Sequence, residues 1–233
     1  MTSIKRANNF IDPKDFDANK ITFSDVKSFG TNSKTAFLIY NNDSNLGFKV
    51  PKMRMPFGYS KYVDEDKPTK YAVDVSFDPD NNDKKMKTFY DALQNFDNKI
   101  LNEAKKNSLA WLRKKHITDD VLQSLFNPSI KKSKDKATGE FDDKYPPMFK
   151  GKIQFKENQM KCSIFDHNRQ KIECNALEKL EKGCYITGVI KCTGLWFAGG
   201  KFGCTWVFEQ IKLDKPKPKI KEYSISDLMD DSD

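Results

Sequence analysis

Between residues 184 and 193 apolar and polar positions alternate: Cys184, Ile186, Gly188, Ile190 and Cys192 share one face, while Tyr185, Thr187, Lys191 and Thr193 share the other, which Phe197 continues. A period of two is that of a half-buried strand. The pattern runs from Gly183 to Leu213 and is interrupted only at Ala198-Gly199-Gly200-Lys201, a turn whose glycines accept the positive φ that a tight hairpin needs. Two long antiparallel strands are therefore predicted. Closing them on Gly199 and Gly200 places Phe197 opposite Phe202, Thr193 opposite Trp206 and Lys191 opposite Phe208. The Ile186 face is then core, and a slip of one residue would bury Trp206 instead.

Shorter strand signals occur at Thr35–Tyr40, Leu46–Phe57, Lys70–Phe77, Met148–Phe155 and Met160–Phe165. Pro51 and Pro56 make the second of these an edge or bulged strand. From Lys84 the period changes: Met86, Phe89, Leu93, Phe96 and Ile100 form one stripe behind the cap candidates Asn82 and Asp83, which predicts a helix of about 20 residues. A second helix begins at Thr118, with Asp119 and Asp120 favoured in its first turn, and stops before Pro128. Residues 128–147 read as one long lysine-rich loop. These elements predict an α+β fold dominated by a Greek-key barrel with inserted helices. Residues 1–33 form an N-terminal extension pinned by apolar residues such as Phe10 and Phe16, residues 34–213 the body with a helical insertion at about 84–127, and residues 214–233 a Pro/Lys spacer and acidic tail.

Charge sharpens this picture. The chain has 41 Lys and Arg against 33 Asp and Glu, a net +8, yet Glu222, Asp227, Asp230, Asp231 and Asp233 crowd the last twelve residues with no base among them. The rest carries 41 positive against 28 negative charges, and a body that basic points to a polyanionic partner. The longest apolar runs fall short of the roughly 20 residues a membrane helix needs, and the N-terminus lacks an apolar signal stretch, so an intracellular protein without a membrane partner is expected. Five cysteines without CxxC spacing argue for buried thiols rather than disulfides or a zinc ribbon.

Candidate chemistry is sparse. Gly199-Gly200-Lys201-Phe202 lacks the hydroxyl residue of a phosphate loop. Cys162, His167 and Cys174 are a weak zinc candidate, and Asp142 with Asp143 a weak magnesium candidate. No catalytic residue, cofactor or metal is expected. Basic and aromatic residues interleave instead: Lys49, Lys52, Arg54, Tyr59, Lys61 and Tyr62 in one stretch, and Lys191, Trp196, Phe197, Lys201, Phe202 and Trp206 in another, with Lys131, Lys132, Lys134 and Lys136 between. Cations that track phosphates beside rings that stack on bases are the requirements of single-strand binding.

The segment GVIKCTGLWFAGGKFGCTWVFEQIKL, from Gly188 to Leu213, together with the acidic tail resembles the single-stranded DNA-binding proteins of large nucleocytoplasmic DNA viruses, themselves similar to the replication proteins of short-tailed phages. The resemblance implies an OB-type barrel, a non-enzymatic role in viral DNA replication, recombination or repair, and a disordered acidic tail that recruits a polymerase, helicase or primase through Asp227, Leu228, Met229, Asp230, Asp231 and Asp233. It extends from about Thr35 to the C-terminus and includes Trp196, Lys201 and Trp206. The tail departs from the phage pattern, ending in Asp233 rather than an aromatic residue. A viral factory in the host cytoplasm, or the nucleus, would be the setting, and a homodimer is the oligomer to test. The competing readings are a metal-dependent nuclease using Asp142 and Asp143, and an RNA-binding or virion-packaging protein.

Overall fold

The computed structural model describes residues 8–42, 45–65, 67–78 and 83–215. Its strands are β1 (Asn8–Ile11), β2 (Ile21–Phe23), β3 (Lys27–Phe29), β4 (Ser33–Ala36), β5 (Leu38–Tyr40), β6 (Asn45–Arg54), β7 (Tyr59–Asp64) and β8 (Lys67–Ser76). Helices α1 (Lys84–Lys106), α2 (Ser108–Leu112) and α3 (Asp119–Leu125) follow. The second half adds β9 (Phe126–Asn127), β10 (Ile130–Lys131), β11 (Met148–Ile153), β12 (Phe155–Lys156), β13 (Gln159–Met160), β14 (Ser163–Phe165), β15 (Tyr185–Ala198) and β16 (Lys201–Leu213). No helix among the described residues is long and apolar enough to cross a membrane.

Five strands pair in a circuit. β6 lies antiparallel to β15, with Gly47 opposite Lys191 and Lys49 opposite Val189, and meets β8 at Arg54 and Ser76. β8 pairs with β11 from Tyr71–Ile153 to Ser76–Met148; β11 runs parallel to β16 and touches it at Lys152 and Val207; β16 returns to β15. β1 extends the sheet beside β6, and β4 and β3 extend it beside the tip of β15. Further along, β9 pairs with β16 and β10 with β11, so the turn at Pro128 and Ser129 bridges two strands that have moved apart.

Helix α1 forms where the stripe predicted it. The Asp83 carboxylate accepts from the Lys85 N–H at 2.8 Å and caps its start, while Met86, Phe89, Leu93, Phe96 and Ile100 are all buried against the sheet. Helix α3 begins where predicted, with Asp119 and Asp120 in its first turn and Thr118 as its cap. The short α2 has no counterpart in the sequence reading; Arg113, in the left-handed region at φ 57°, ends it. The other cap candidate of α1, Asn82, lies outside the described residues.

The hairpin closes as expected at its tip, with Phe197 opposite Phe202, but not below it. Cys192 lies opposite Trp206 while Leu195 lies opposite Cys204, so Thr193 and Gly194 together face Thr205 alone. This is a β-bulge, with Gly194 at φ 124° and the Ala36 carbonyl 2.8 Å from where a Cβ would sit. The extra residue in β15 brings Phe197 to the core side and sets Cys192 opposite Trp206, which therefore points inward with Phe202, at 3% exposure, its ring 4.9 Å from Phe96 and 5.6 Å from Phe48. The expected pairings of Thr193 with Trp206 and of Lys191 with Phe208 are thus replaced; Lys191 faces Val207.

Residues 128–147 are also more ordered than the predicted loop. Lys134 and Phe141 form an antiparallel bridge, and the Asp135 carboxylate accepts from the N–H groups of Ala137 and Thr138, both at 2.8 Å. The Asp135 N–H donates to the Glu140 carbonyl, which closes a small arm whose turn runs through Gly139 at φ 75°. The tail residues Asp227, Leu228, Met229, Asp230, Asp231 and Asp233 lie outside the described residues.

Candidate nucleic-acid interface

Residues opposite one another in neighbouring strands point to the same side of a sheet. In β11 the apolar Phe149 and Ile153 face the core with Gly151, so Lys150 and Lys152 between them face outward. Lys152 lies level with Ala72, which pairs with Ser60 in β7; Tyr62 is opposite Lys70 on the same side. Lys150 Nζ donates to the Tyr62 hydroxyl at 2.8 Å, sits 5.1 Å from the centre of that ring, and reaches the Asp74 carboxylate at 3.5 Å.

β10 brings Lys131 to the same surface, opposite Met148. Its ammonium donates to the Asn127 side chain, and Asn127 lies opposite Gly203, whose own cross-strand partner is Trp196. Phe197 points to the core, so Trp196 points outward. Gly203 has no side chain to hold the indole off, and Trp196 Cζ2 comes within 3.2 Å of where a Cβ would be. The same face thus carries Tyr62 with Lys150 in one part, and Lys131, Asn127 and Trp196 beside the hairpin tip in another.

Lys131 is the electrostatic centre. Partial burial pushes its pKa down to about 8; Asp97 opposes this, and the charges of Lys150, Lys201 and Lys134 push it further down. Beneath it, burial raises the Asp97 carboxyl to about 7 against hydrogen bonds from Ser129 and the charge of Lys131. Ser129 donates to Asp97 through its N–H at 2.8 Å and its hydroxyl at 2.7 Å, and Trp206 Nε1 donates to the same hydroxyl at 3.0 Å. Helix, bridging turn and hairpin are locked together there. Burial and neighbouring Lys70 lower Lys152 as well. Cations gathered so that they repel one another are costly in the free protein, and an arriving anion relieves that repulsion.

The sequence-predicted residues divide. Lys131, Lys134, Lys201, Tyr62 and Trp196 come together on or beside this surface, with Lys132 on the arm, Lys136 exposed in its turn, and Lys191 half-buried two strands from Lys152. Phe197 and Phe202, at 6% and 0% exposure, are core rings packed on each other and on Trp111 and Phe126; with Trp206 they leave the list of stacking candidates, because a ring without free area cannot receive a base. Tyr59 and Lys61 face the other side of β7, where Tyr59 lies beside Tyr71. Lys49, Lys52 and Arg54 follow β6 toward the base of the hairpin; Lys52 pairs with Asp214 and covers the Tyr185 ring. Lys70, Lys150 and Lys152 were missed, although the alternation of Phe149-Lys150-Gly151-Lys152-Ile153 marks both β11 lysines as outward.

Asp142 is occupied structurally, accepting from the Ser133 hydroxyl and from the Lys144 N–H at 3.1 Å. Among the described residues no three His, Cys, Asp or Glu side chains converge as metal ligands. Cys162 is buried, with its thiol pushed up to about 12, whereas His167 and Cys174 are exposed.

Residues 73–229 match the model of a family described as a family of unknown function, DUF5871. Since the match spans more than half the chain, the protein belongs to that family. A search of curated proteins finds no match. Among solved structures the chain is similar to the single-stranded DNA-binding protein of bacteriophage Enc34 in complex with single-stranded DNA, at 15% identity and a TM-score of 0.46, covering 83% of this chain and 96% of that one. A C-terminal truncation of the Enc34 protein gives 13%, 0.45, 87% and 99%. The single-stranded DNA-binding protein encoded by bacteriophage T7 gives 14%, 0.41, 76% and 90%. Scores at this level transfer neither a residue nor a function.

Proposed function

We propose that the chain binds single-stranded nucleic acid, DNA in the first place, and does no covalent chemistry on it. The observation that carries this reading is the gathering of Lys134, Lys150 and Lys201 around Lys131, on and beside a sheet face that also bears the outward rings of Tyr62 and Trp196. Phosphates would neutralise the lysines while bases stack on the rings, a combination tolerant of sequence. The five-strand circuit supports reading the body, residues 34–213, as a barrel of the OB type with helices inserted between its second and third strands. In the setting that the sequence resemblance implies, the replication, recombination or repair of a large viral genome, the protein coats exposed strands and recruits replication enzymes through its acidic tail.

The test is a titration of labelled oligo-dT and of a matched duplex across salt concentrations. The single strand should bind at least about tenfold more tightly, with log affinity falling linearly in log salt by roughly 0.7 per phosphate contacted. Equal affinity for the duplex overturns the stacking account. Competition by oligo-U decides between DNA and RNA, and incubation with magnesium should leave the strand at full length.

A further inference from the structure

Beside the lysine cluster lies a second feature that a flat strand-binding face does not require. Helix α1, the segment from Phe126 to Lys134 and the arm enclose an open cleft of about 550 Å³, a volume within the range of small-ligand sites. Its helical wall is not the core stripe. It presents Tyr90, Gln94 and Asn98, four residues apart and therefore stacked on one flank. Gln94 donates to the Tyr90 hydroxyl at 3.5 Å. Side-chain amides carry donors and acceptors together, as the edge of a nucleobase does. The facing wall is Phe141, 62% exposed and fixed by its bridge to Lys134, whose ammonium lies 4.8 Å from the ring centre. Lys131 and Lys201 complete the rim. Amides on one side, an aromatic ring on the other and cations at the mouth are the three contacts a nucleotide offers partners for.

We propose that this cleft is a nucleotide subsite: one base enters between Phe141 and the Gln94–Asn98 flank of α1, and its phosphate rests at Lys131, Lys134 and Lys201. The occupant is a nucleoside 5′-phosphate, either free or as one unit of a strand lying on the adjacent sheet face; the second form rests on the strand-binding reading. In that form the cleft pins one base of each bound stretch while its neighbours stay on the open face, and the amides give the protein a base preference that stacking alone lacks.

The experiment uses 2-aminopurine, whose fluorescence is quenched on stacking, as the free 2′-deoxynucleoside 5′-monophosphate and as a single substitution within oligo-dT. Both should be quenched saturably by the full chain. Phe141→Ala should weaken the mononucleotide about tenfold, the scale of one lost stacking contact, and Lys134→Gln should weaken the mononucleotide but not the phosphate-free nucleoside. Gln94→Ala should narrow the difference among the four natural mononucleotides as competitors. Phe141 is exposed, so its removal leaves the core intact, and an unchanged melting temperature checks this. If oligo-dT binds while the mononucleotide does not, and the three variants bind strands like the parent, the subsite is overturned and strand binding stands. If the mononucleotide binds in a Phe141-dependent way and no strand does, the subsite holds for free nucleotides and strand binding falls. Binding of neither ligand overturns both.

Discussion

Trp196 and Trp206 belong to one hairpin and point to opposite sides of it. Trp196→Ala should weaken oligo-dT binding by about 1–3 kcal/mol and leave the melting temperature nearly unchanged, because its outward ring holds little of the core together. Trp206→Ala should cost about 3–5 kcal/mol of stability, since it empties a site among Phe48, Phe96 and Phe149 and leaves Ser129 without its indole donor. Calorimetry and fluorescence titration on the two variants separate the roles; reversed effects would reverse the assignment. Asp97 gives a second residue-scale prediction. Its pKa is 3.8 in the ordinary state and about 7 in the folded one, so between those values the folded chain keeps a proton that the unfolded chain has released. The stabilisation is complete below about pH 4 and is lost as pH rises through 7. The melting temperature should therefore fall between about pH 4 and pH 7, where Lys131 is still largely charged, and Asp97→Asn should flatten that dependence. Equal slopes in parent and variant would show that Asp97 does not titrate there. At this scale the sequence was legible in part. Alternation carried unbroken through Thr193 and Gly194 put Phe197 and Trp206 on the outer face, whereas the bulge turns both inward and leaves Trp196 outward. The signal that could have corrected it was the glycine itself, since a lone glycine inside a strand marks a bulge.

At the scale of elements, that bulge is the part most sensitive to change. Gly194→Ala adds a Cβ in a backbone region that L-residues avoid and places it 2.8 Å from the Ala36 carbonyl, so β4 must move away from β15. The variant should lose on the order of 1–3 kcal/mol of stability. A melting temperature within a degree of the parent would show that β4 is free to yield. The elements themselves were largely readable. The α1 stripe and its Asp83 cap, the start of α3 at Thr118, and the strands on either side of the glycine turn all follow from local pattern, because each satisfies its own period and end groups. The arm at 128–147 was not readable. Its order comes from the Asp135 carboxylate and from pairing between Lys134 and Phe141, neither of which leaves a periodic trace in a run of lysines. The candidate site suffered most from this, because Lys131 takes its importance from β10 meeting β11 beside Asp97, a set of contacts distant in sequence.

For the whole molecule the charge balance has a direct consequence. The five acids of residues 222–233 share a chain with 41 bases and 28 further acids, and any polyanion so tethered is a ligand of high effective concentration for a cationic face. It should act there as a weak competitor of the strand. Truncation before Glu222 should tighten oligo-dT binding, most at low salt where attraction is least screened, and should abolish capture of replication enzymes by the tail. Unchanged low-salt affinity together with unchanged capture would refute both roles. The five-strand circuit has a further consequence, one of timing on the ribosome. β16 is its last strand in chain order, and it supplies the partner of β11, the partner of β15 and, through Gly203, the seat of Trp196. Until Leu213 has emerged, Lys150 and Lys131 belong to a sheet with bare edges, and such edges in a nascent chain invite wrong pairing. The lysine face is therefore completed in one late event rather than built up by degrees, so an unfinished chain cannot present the assembled cluster.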